Sequence, residues 1–410
     1  MPRRIIVELA ERVRRLAPPA PGELAALAER SARGRRELLR LDAEDLRLAP
    51  PPLSSLGTGG EGEVARWLAA RLDIAADSLG EILLLRGPIP PHHLLALAFV
   101  NPGDEVLVPD PAPPVFRTAA LLADATPAPW PREGHATGPP GAQDLAGAPA
   151  RATSRGARIR FLAPCAPPTG QPEPPADLDV AVNAGLAQSR ILAADLSALL
   201  LDLGGPAAGT RGETGSPPAI THLFHHPRAL DVGVGIVTLD ALFGAGNAPF
   251  ALLFGNRDLV LGVRRLTEAM GMPFGAPAAR AVAPTLAALD RALDAARANL
   301  RARRDVLVDG LQRLGFRATS PTAGLALWVA APRGYRGLPF ARMLLRRAGI
   351  LVRPGTDFGE SGEHFVAFSL APPPTVLFRA LGRLEELAPR KLRLRRQLVR
   401  ARRRPPAAPA

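Results

Sequence analysis

Lysine is almost missing from this chain. Lys and Arg total 51, and all but one are arginine; the exception, Lys391, lies close to the C-terminal end. Tyrosine is single as well, Tyr335, and aromatic residues make up 4% of the sequence. A mechanism that needs a lysine amine or a tyrosine hydroxyl in the body of the protein therefore has almost nothing to draw on. One cysteine, Cys165, excludes an intrachain disulfide and fits a reducing cytoplasm. No run approaches the ~20 apolar residues that a membrane span requires. The opening MPRRIIVELAERVRRL mixes Glu8 and Glu11 with its arginines, so it lacks the unbroken apolar stretch of a signal peptide. It reads instead as an amphipathic helix with Ile5, Ile6, Leu9, Val13 and Leu16 near one face.

What is present suits a folded protein. The 410 residues are 47% hydrophobic and 22% charged, enough for two domains with real cores. That balance excludes collagen-like, coiled-coil and generally disordered chains. The net charge is +13, but nine basic residues and no acid fall in RKLRLRRQLVRARRR, Arg390–Arg404, so 13 − 9 leaves +4 for the rest. The basic character belongs to a tail, expected to be a disordered or loosely helical arm, with contact to an acidic partner or to a membrane surface as its other readings. It has no aromatics to stack on bases, which argues against specific nucleic-acid binding.

Apolar runs such as EILLL, DEVLV, ARIRFL, SRILAADL, VGVGIVTL and FALLFGN alternate with helical patterns such as GEVARWLAARL and ADLDVAVNAGLAQ. Alternation of this kind predicts an α/β body with a mostly parallel sheet. Near-continuous apolar strands fit a sheet covered on both faces. Helix is expected over the N-terminal region to about Leu41, and a long helix over about 279–313 leads into a smaller α+β unit. Residues 133–157 and 204–218 read as Gly/Pro-rich loops. His222, His225 and His226 in THLFHHP cluster, but no cysteine or acid stands at ligand spacing, so no metal site is expected. His92 and His93 open a helix and read as packing residues, and Cys165 as a buried thiol.

Specific segments carry more. VNPGDEVLVPDP at 100–111, PPTG at 167–170, Asp195 after a strand, FGN at 254–256, RRDVLVDGLQRLGF at 303–316 and RPGTDFGESGEHF at 353–365 follow in order. Together they resemble the class I/II aminotransferases of the fold-type I pyridoxal phosphate (PLP) superfamily, nearest in flavour to the diaminopimelate, aspartate and alanine enzymes. The resemblance implies a large domain with a mostly parallel sheet between helices, plus a smaller α+β domain. The boundaries are then 1–41, an N-terminal segment of the small domain; 42–285, the large domain; 286–388, the small domain; and 389–410, the tail. It also implies a homodimer and PLP.

The positions that would hold PLP have changed. Laid over the family pattern S-x-S-K, the chain reads Thr238-Leu239-Asp240-Ala241, so the Schiff-base lysine position is Ala241. The phosphate-binding turn reads Gly87-Pro88-Ile89-Pro90-Pro91, and three prolines remove three N–H donors. The phosphate arginine falls on Pro249, the ring-stacking aromatic on Pro113 and the ring-hydroxyl asparagine on Pro167. The tyrosine near the aspartate falls on Ala198, and the arginine for the substrate carboxylate on Ala367. Asp195, the pyridinium partner, alone matches; an acid in that place otherwise caps a helix or finds a cation. Losing so many charge-assisted bonds at once, each ~1.5–3 kcal/mol, predicts a pseudoenzyme that binds no cofactor. Such a chain would serve as scaffold, regulator or partner subunit, as a homodimer or beside an intact paralogue. The alternatives are an active PLP-dependent aminotransferase of amino acids and 2-oxo acids, or a non-catalytic small-molecule binder using the vacated cleft.

Overall fold

The apolar runs become strands β1 (Leu39–Leu41), β2 (Glu81–Leu85), β3 (Glu105–Asp110), β4 (Thr126–Pro131), β5 (Ala157–Leu162), β6 (Ile191–Asp195), β7 (Gly233–Thr238), β8 (Ala251–Gly255), β9 (Ala318–Thr319), β10 (Ala326–Ala330), β11 (Ile350–Pro354) and β12 (Phe365–Ser369). The helices that matter below are α1 (Glu11–Arg15), α2 (Glu61–Leu72), α3 (Pro91–Phe99), α4 (Pro114–Leu122), α5 (Pro175–Gln188), α6 (Arg257–Ala269), α7 (Leu286–Arg313), α8 (Gly337–Ala348) and α9 (Pro374–Lys391). The computed structural model describes residues 9–16, 24, 27–29, 37–51, 60–131, 156–204, 220–244, 247–272 and 275–391.

Seven strands form one sheet in the order β2-β8-β7-β6-β5-β3-β4. From β7 to β4 every pairing is parallel; β8 runs antiparallel to both β7 and β2. Successive side chains leave a strand on opposite faces, and here both faces are buried. Val106, Ile159, Phe161, Ala193 and Ile236 pack with residues of α3, α4 and α6. Leu162, Leu192, Ala194, Val237 and Phe254 pack on the other side with α2, α5 and α7. That double burial is why these strands carry so few polar residues.

The second sheet has five strands in the order β1-β11-β12-β10-β9, with β1 parallel to β11 and the remaining pairs antiparallel. Trp328 on β10 is 2% exposed and stacks on Phe365 at 4.9 Å, with Phe358 edge-on at 5.9 Å. The two sheets are tied where β3 ends. Asp110 accepts from Ser361 Oγ at 2.7 Å, and Ala112 N donates to Phe358 O at 2.8 Å. Gly359 has φ +129°, and a Cβ there would meet Asp110 Oδ1, so this junction requires glycine.

Three expectations need correction. Helix does not continue to Leu41: residues 39–41 are β1, with Leu39 and Leu41 buried and Arg40 turned outward. A three-residue alternation is too short to stand out in the sequence. Leu9 and Val13, read as an apolar helix face, are exposed, and α1 is instead fastened by Arg12 to Asp124 at 3.0 Å and by Arg15 to Ala125 O at 2.9 Å. Ile5 and Ile6 lie outside the described residues. Helix α6 was not foreseen, although Asn256 caps it by accepting from Asp258 N and Leu259 N. The loop expectations at 133–157 and 204–218 fall almost wholly outside the described residues, as does the tail beyond Lys391. No helix among the described residues is long and apolar enough to cross a membrane.

The histidine cluster serves the fold. His222 Nε2 donates to Leu72 O at 2.9 Å, and His225 Nε2 lies 3.2 Å from Asp73 O, so both meet carbonyls left open at the end of α2. His226 Nε2 is 3.7 Å from Asp179 Oδ1. Burial, partly offset by the Leu72 bond, lowers the His222 pKa to about 4. A base whose folded pKa lies below its ordinary 6.5 protonates first in the unfolded chain. Its contribution is therefore full above pH ~6.5 and lost as pH falls toward about 4, a swing of about 3 kcal/mol. Urea unfolding midpoints measured across that window should fall in the wild type and fall less steeply in His222→Gln, the remaining slope coming in part from His93, which burial also lowers to about 4.

Candidate functional site

A cavity of about 320 Å³ opens at the carboxyl ends of β6 and β7, where parallel sheets generally take their ligands. The connection after β1, residues 42–45, forms one wall, and β10, β11 and β12 contribute another. Residues far apart in sequence meet here: Pro113, Pro167, Asp195, Thr238, Asp240, Ala241 and Ala367 all line the space. Pro88, Ala198 and Pro249 do not. Pro88 is exposed in the turn before α3, Ala198 packs against the larger core, and Pro249 is buried outside the lining.

Asp195, the last residue of β6, has both oxygens engaged by the protein itself. Oδ1 accepts from Ser197 N at 2.9 Å, and Oδ2 lies 3.0 Å from His92 Nε2. His92 sits one residue into α3, is 3% exposed, and is held edge-on to Phe116 at 5.1 Å with Phe161 at 6.0 Å. Its expected role as a packing residue is thus incomplete: it is the partner of the site carboxylate. Burial alone would raise the Asp195 carboxyl, but the bond and charge of His92 and the bonds from Ser197 outweigh it and hold the group below the ordinary carboxylate range. Ser197 also ties in β7, its Oγ accepting from Thr238 N at 2.8 Å.

Two residues on, Asp240 opens the short turn Asp240–Phe243, with Ala241 beside it. Burial raises the Asp240 carboxyl; His92 pulls it down, while Asp195 and Asp45 add to the rise. On the far wall Arg353 stands on β11 directly opposite Ala367 on β12. Its guanidinium lies 4.3 Å over the Phe358 ring, its Nε is 3.5 Å from Asp357, and its Nη1 meets Glu44.

Comparison with known proteins decides the family. The model of aminotransferase class I and II matches residues 242–384. An LL-diaminopimelate aminotransferase of Desulforudis audaxviator is 30% identical over 323 residues, covering 78% of each chain. The chain belongs to the class I and II aminotransferase family. Another relative, the LL-diaminopimelate aminotransferase of Aquifex aeolicus, is 29% identical over 79% of this chain and 80% of its own. Among solved structures, an aminotransferase from Staphylococcus aureus superimposes with TM-score 0.71 at 20% identity, covering 93% of this chain and 99% of that one. N-succinyldiaminopimelate aminotransferase from Mycobacterium tuberculosis gives 0.69 at 22% identity, over 93% and 100%. These two establish the fold, with its large, mostly parallel sheet between helices.

PLP is the cofactor associated with this family, and the cavity does not fit it. An aldehyde cofactor held covalently needs an amine, and the wall offers the Ala241 methyl group. A phosphate at the start of α3 needs backbone donors. Of residues 88–91, Ile89 alone has an N–H, because the other three are proline. Asp240 would bring a carboxylate toward the same dianion. Both Asp195 oxygens already accept from the protein, Oδ1 from Ser197 N and Oδ2 from His92, so the carboxylate is not left waiting for a pyridinium.

Proposed function

We propose that this aminotransferase-fold chain is a pseudoenzyme: it works without PLP and catalyses no transamination. The observation carrying the reading is Ala241 on the cavity wall, with no lysine among the residues that line the space. The only lysine, Lys391, is the last described residue of α9, 150 positions further along. The His92–Asp195 pair supports the reading independently, because an internal base already occupies the carboxylate that would serve a pyridine nitrogen. Such a chain acts as a scaffold, regulator or partner subunit in the cytoplasm, paired with itself or with a lysine-bearing paralogue. The loss of the arginine at 367 removes the family's grip on a substrate carboxylate and fits the same conclusion.

The full-length protein, purified with excess PLP, should show no imine absorbance and no mass increment after borohydride reduction. A stoichiometric, borohydride-fixed pyridoxyl adduct overturns the proposal. Co-purification of a lysine-bearing paralogue would assign the partner-subunit role over the scaffold role.

A further inference from the structure

Away from the cavity, the β3–β5 side of the large sheet holds a charge that the fold does not explain. Ile159 and Phe161 point into the core beside α3 and α4, so Arg160 between them leaves β5 on the opposite face. Its partners across the ladder are Leu107 on β3 and Leu192 on β6, 1% and 0% exposed. A guanidinium therefore starts out between two buried leucines. Trp130 on the edge strand β4 meets it, with the ring centroid 3.8 Å from the guanidinium carbon. Neither Arg160 nor Trp130 lines the cavity.

Three arginines are buried among the described residues, and two of them have acceptors. Arg190 donates to Ala157 O and Gln188 Oε1. Arg304 donates to three carbonyls and to Asp305. Arg160 is 4% exposed, makes no hydrogen bond or ion pair with a described residue, and has its Nε sealed from solvent without a partner. Glu173 and Asp177 attract it from beyond ion-pair distance and Arg190 repels it, while Glu173 accepts from Ala163 N. Burial outweighs these influences and lowers the Arg160 pKa to about 10. The indole offers its face to the cation but no acceptor to the N–H groups in the guanidinium plane. A buried charge left so is costly until an anion meets it, and the guanidinium edge matches two oxygens of a carboxylate or phosphate.

We propose that Arg160, backed by Trp130, is an anion seat: it takes one small oxyanion from solution, forked onto the edge of the guanidinium. The seat lies outside the cavity and does not depend on whether the cavity holds a cofactor. Its occupant completes the charge balance of β5, so the anion and the folded sheet stabilise each other.

The test is thermal shift and tryptophan fluorescence on the full-length protein, purified without PLP and titrated at constant ionic strength against a chloride reference. The probes are inorganic phosphate, sulfate and acetate; the first two are tetrahedral and the third is a carboxylate, so their order says which oxyanion the seat prefers. At least one should raise the unfolding midpoint along a saturating curve. The same probe should change the emission of the wild type, and Trp130→Phe should lose that change. General stabilisation by phosphate and sulfate does not saturate and is shared by every variant. Arg160→Met should abolish the saturating part, and its midpoint in chloride alone should equal or exceed that of the wild type, because an uncompensated buried charge has been removed. Arg160→Lys, which keeps the charge and loses the fork, should weaken binding about tenfold or more. No saturating response to any probe, or one that Arg160→Met retains, overturns the seat. A borohydride-fixed PLP adduct would overturn the cofactor-free reading and leave the seat standing.

Discussion

His92→Leu is expected to destabilise the fold by about 3–5 kcal/mol, the cost of stranding one partner of a buried pair. Asp195 would keep the Ser197 N–H on Oδ1, but Oδ2 would lose its histidine donor. Replacing both members, as in His92→Leu with Asp195→Leu, should cost much less than the sum of the two single changes. An apolar pair of similar volume leaves no orphaned charge. The pH dependence separates this account from simple loss of packing. In the wild type the Asp195 carboxyl is depressed, so its contribution is present above its ordinary 3.8 and lost as pH falls through the folded value. Without His92, two of the causes that depress the carboxyl are gone and burial is opposed by Ser197 alone, so the depression shrinks. The contribution lost on acidification shrinks with it. Unfolding midpoints should therefore fall less steeply in His92→Leu than in the wild type near pH 4, once the shared background is subtracted. Parallel slopes would mean that the histidine merely fills space.

The sequence made some of this legible and hid the rest for physical reasons. Double-sided burial writes itself into composition, so β5, β6, β7 and β8 could be read as apolar runs and the α/β class inferred. Motif order then located 113, 167, 195, 241 and 367 in one pattern, and the structure brings those five positions to one cavity although they span more than half the chain. What the sequence did not disclose are pairings set by the folded geometry. His92 and Asp195 are 103 residues apart, and a histidine at the start of a helix has no local mark of its partner. Arg353 faces Ala367 because of the β11/β12 register, and Glu44 reaches Arg353 from the other end of the chain. Helix α6 is a different case. Asn256 followed by Asp258 in the first turn is a readable start signal, but FGN reads equally well as the end of the strand before it, which masks the cap.

A last expected result links the arginine-rich composition to the site. Along α7, Arg297, Arg301 and Arg304 recur at i, i+4 and i+7, the spacing that aligns side chains on one helix face. Each reaches across to the segment that follows Asp195. Arg297 donates to Leu200 O at 2.9 Å and Arg301 to Leu203 O at 3.0 Å. Arg304 donates to Leu203 O, Gly204 O and Pro321 O at 3.2, 2.7 and 3.3 Å. Carbonyls at the end of the short turn Ser197–Leu201 have no partner within the turn, and the guanidinium row supplies one. Arg304 is 3% exposed, so Arg304→Met should take this donor from the Gly204 and Pro321 carbonyls, leaving Leu203 O to Arg301, and cost about 3 kcal/mol. Arg304→Lys should recover less than half, because one ammonium cannot span three acceptors and Asp305 together. Arg297→Met, at the more open end of the row, should cost about 1 kcal/mol. Urea midpoints at constant m-value are the measurement. Because Ser197 sits in that same segment and binds Asp195, the Arg304 variant should also speed hydrogen exchange at Ser197 N and Thr238 N. Unchanged exchange there would show that the row braces only the outer end of the segment and leaves the carboxylate's setting to His92 alone.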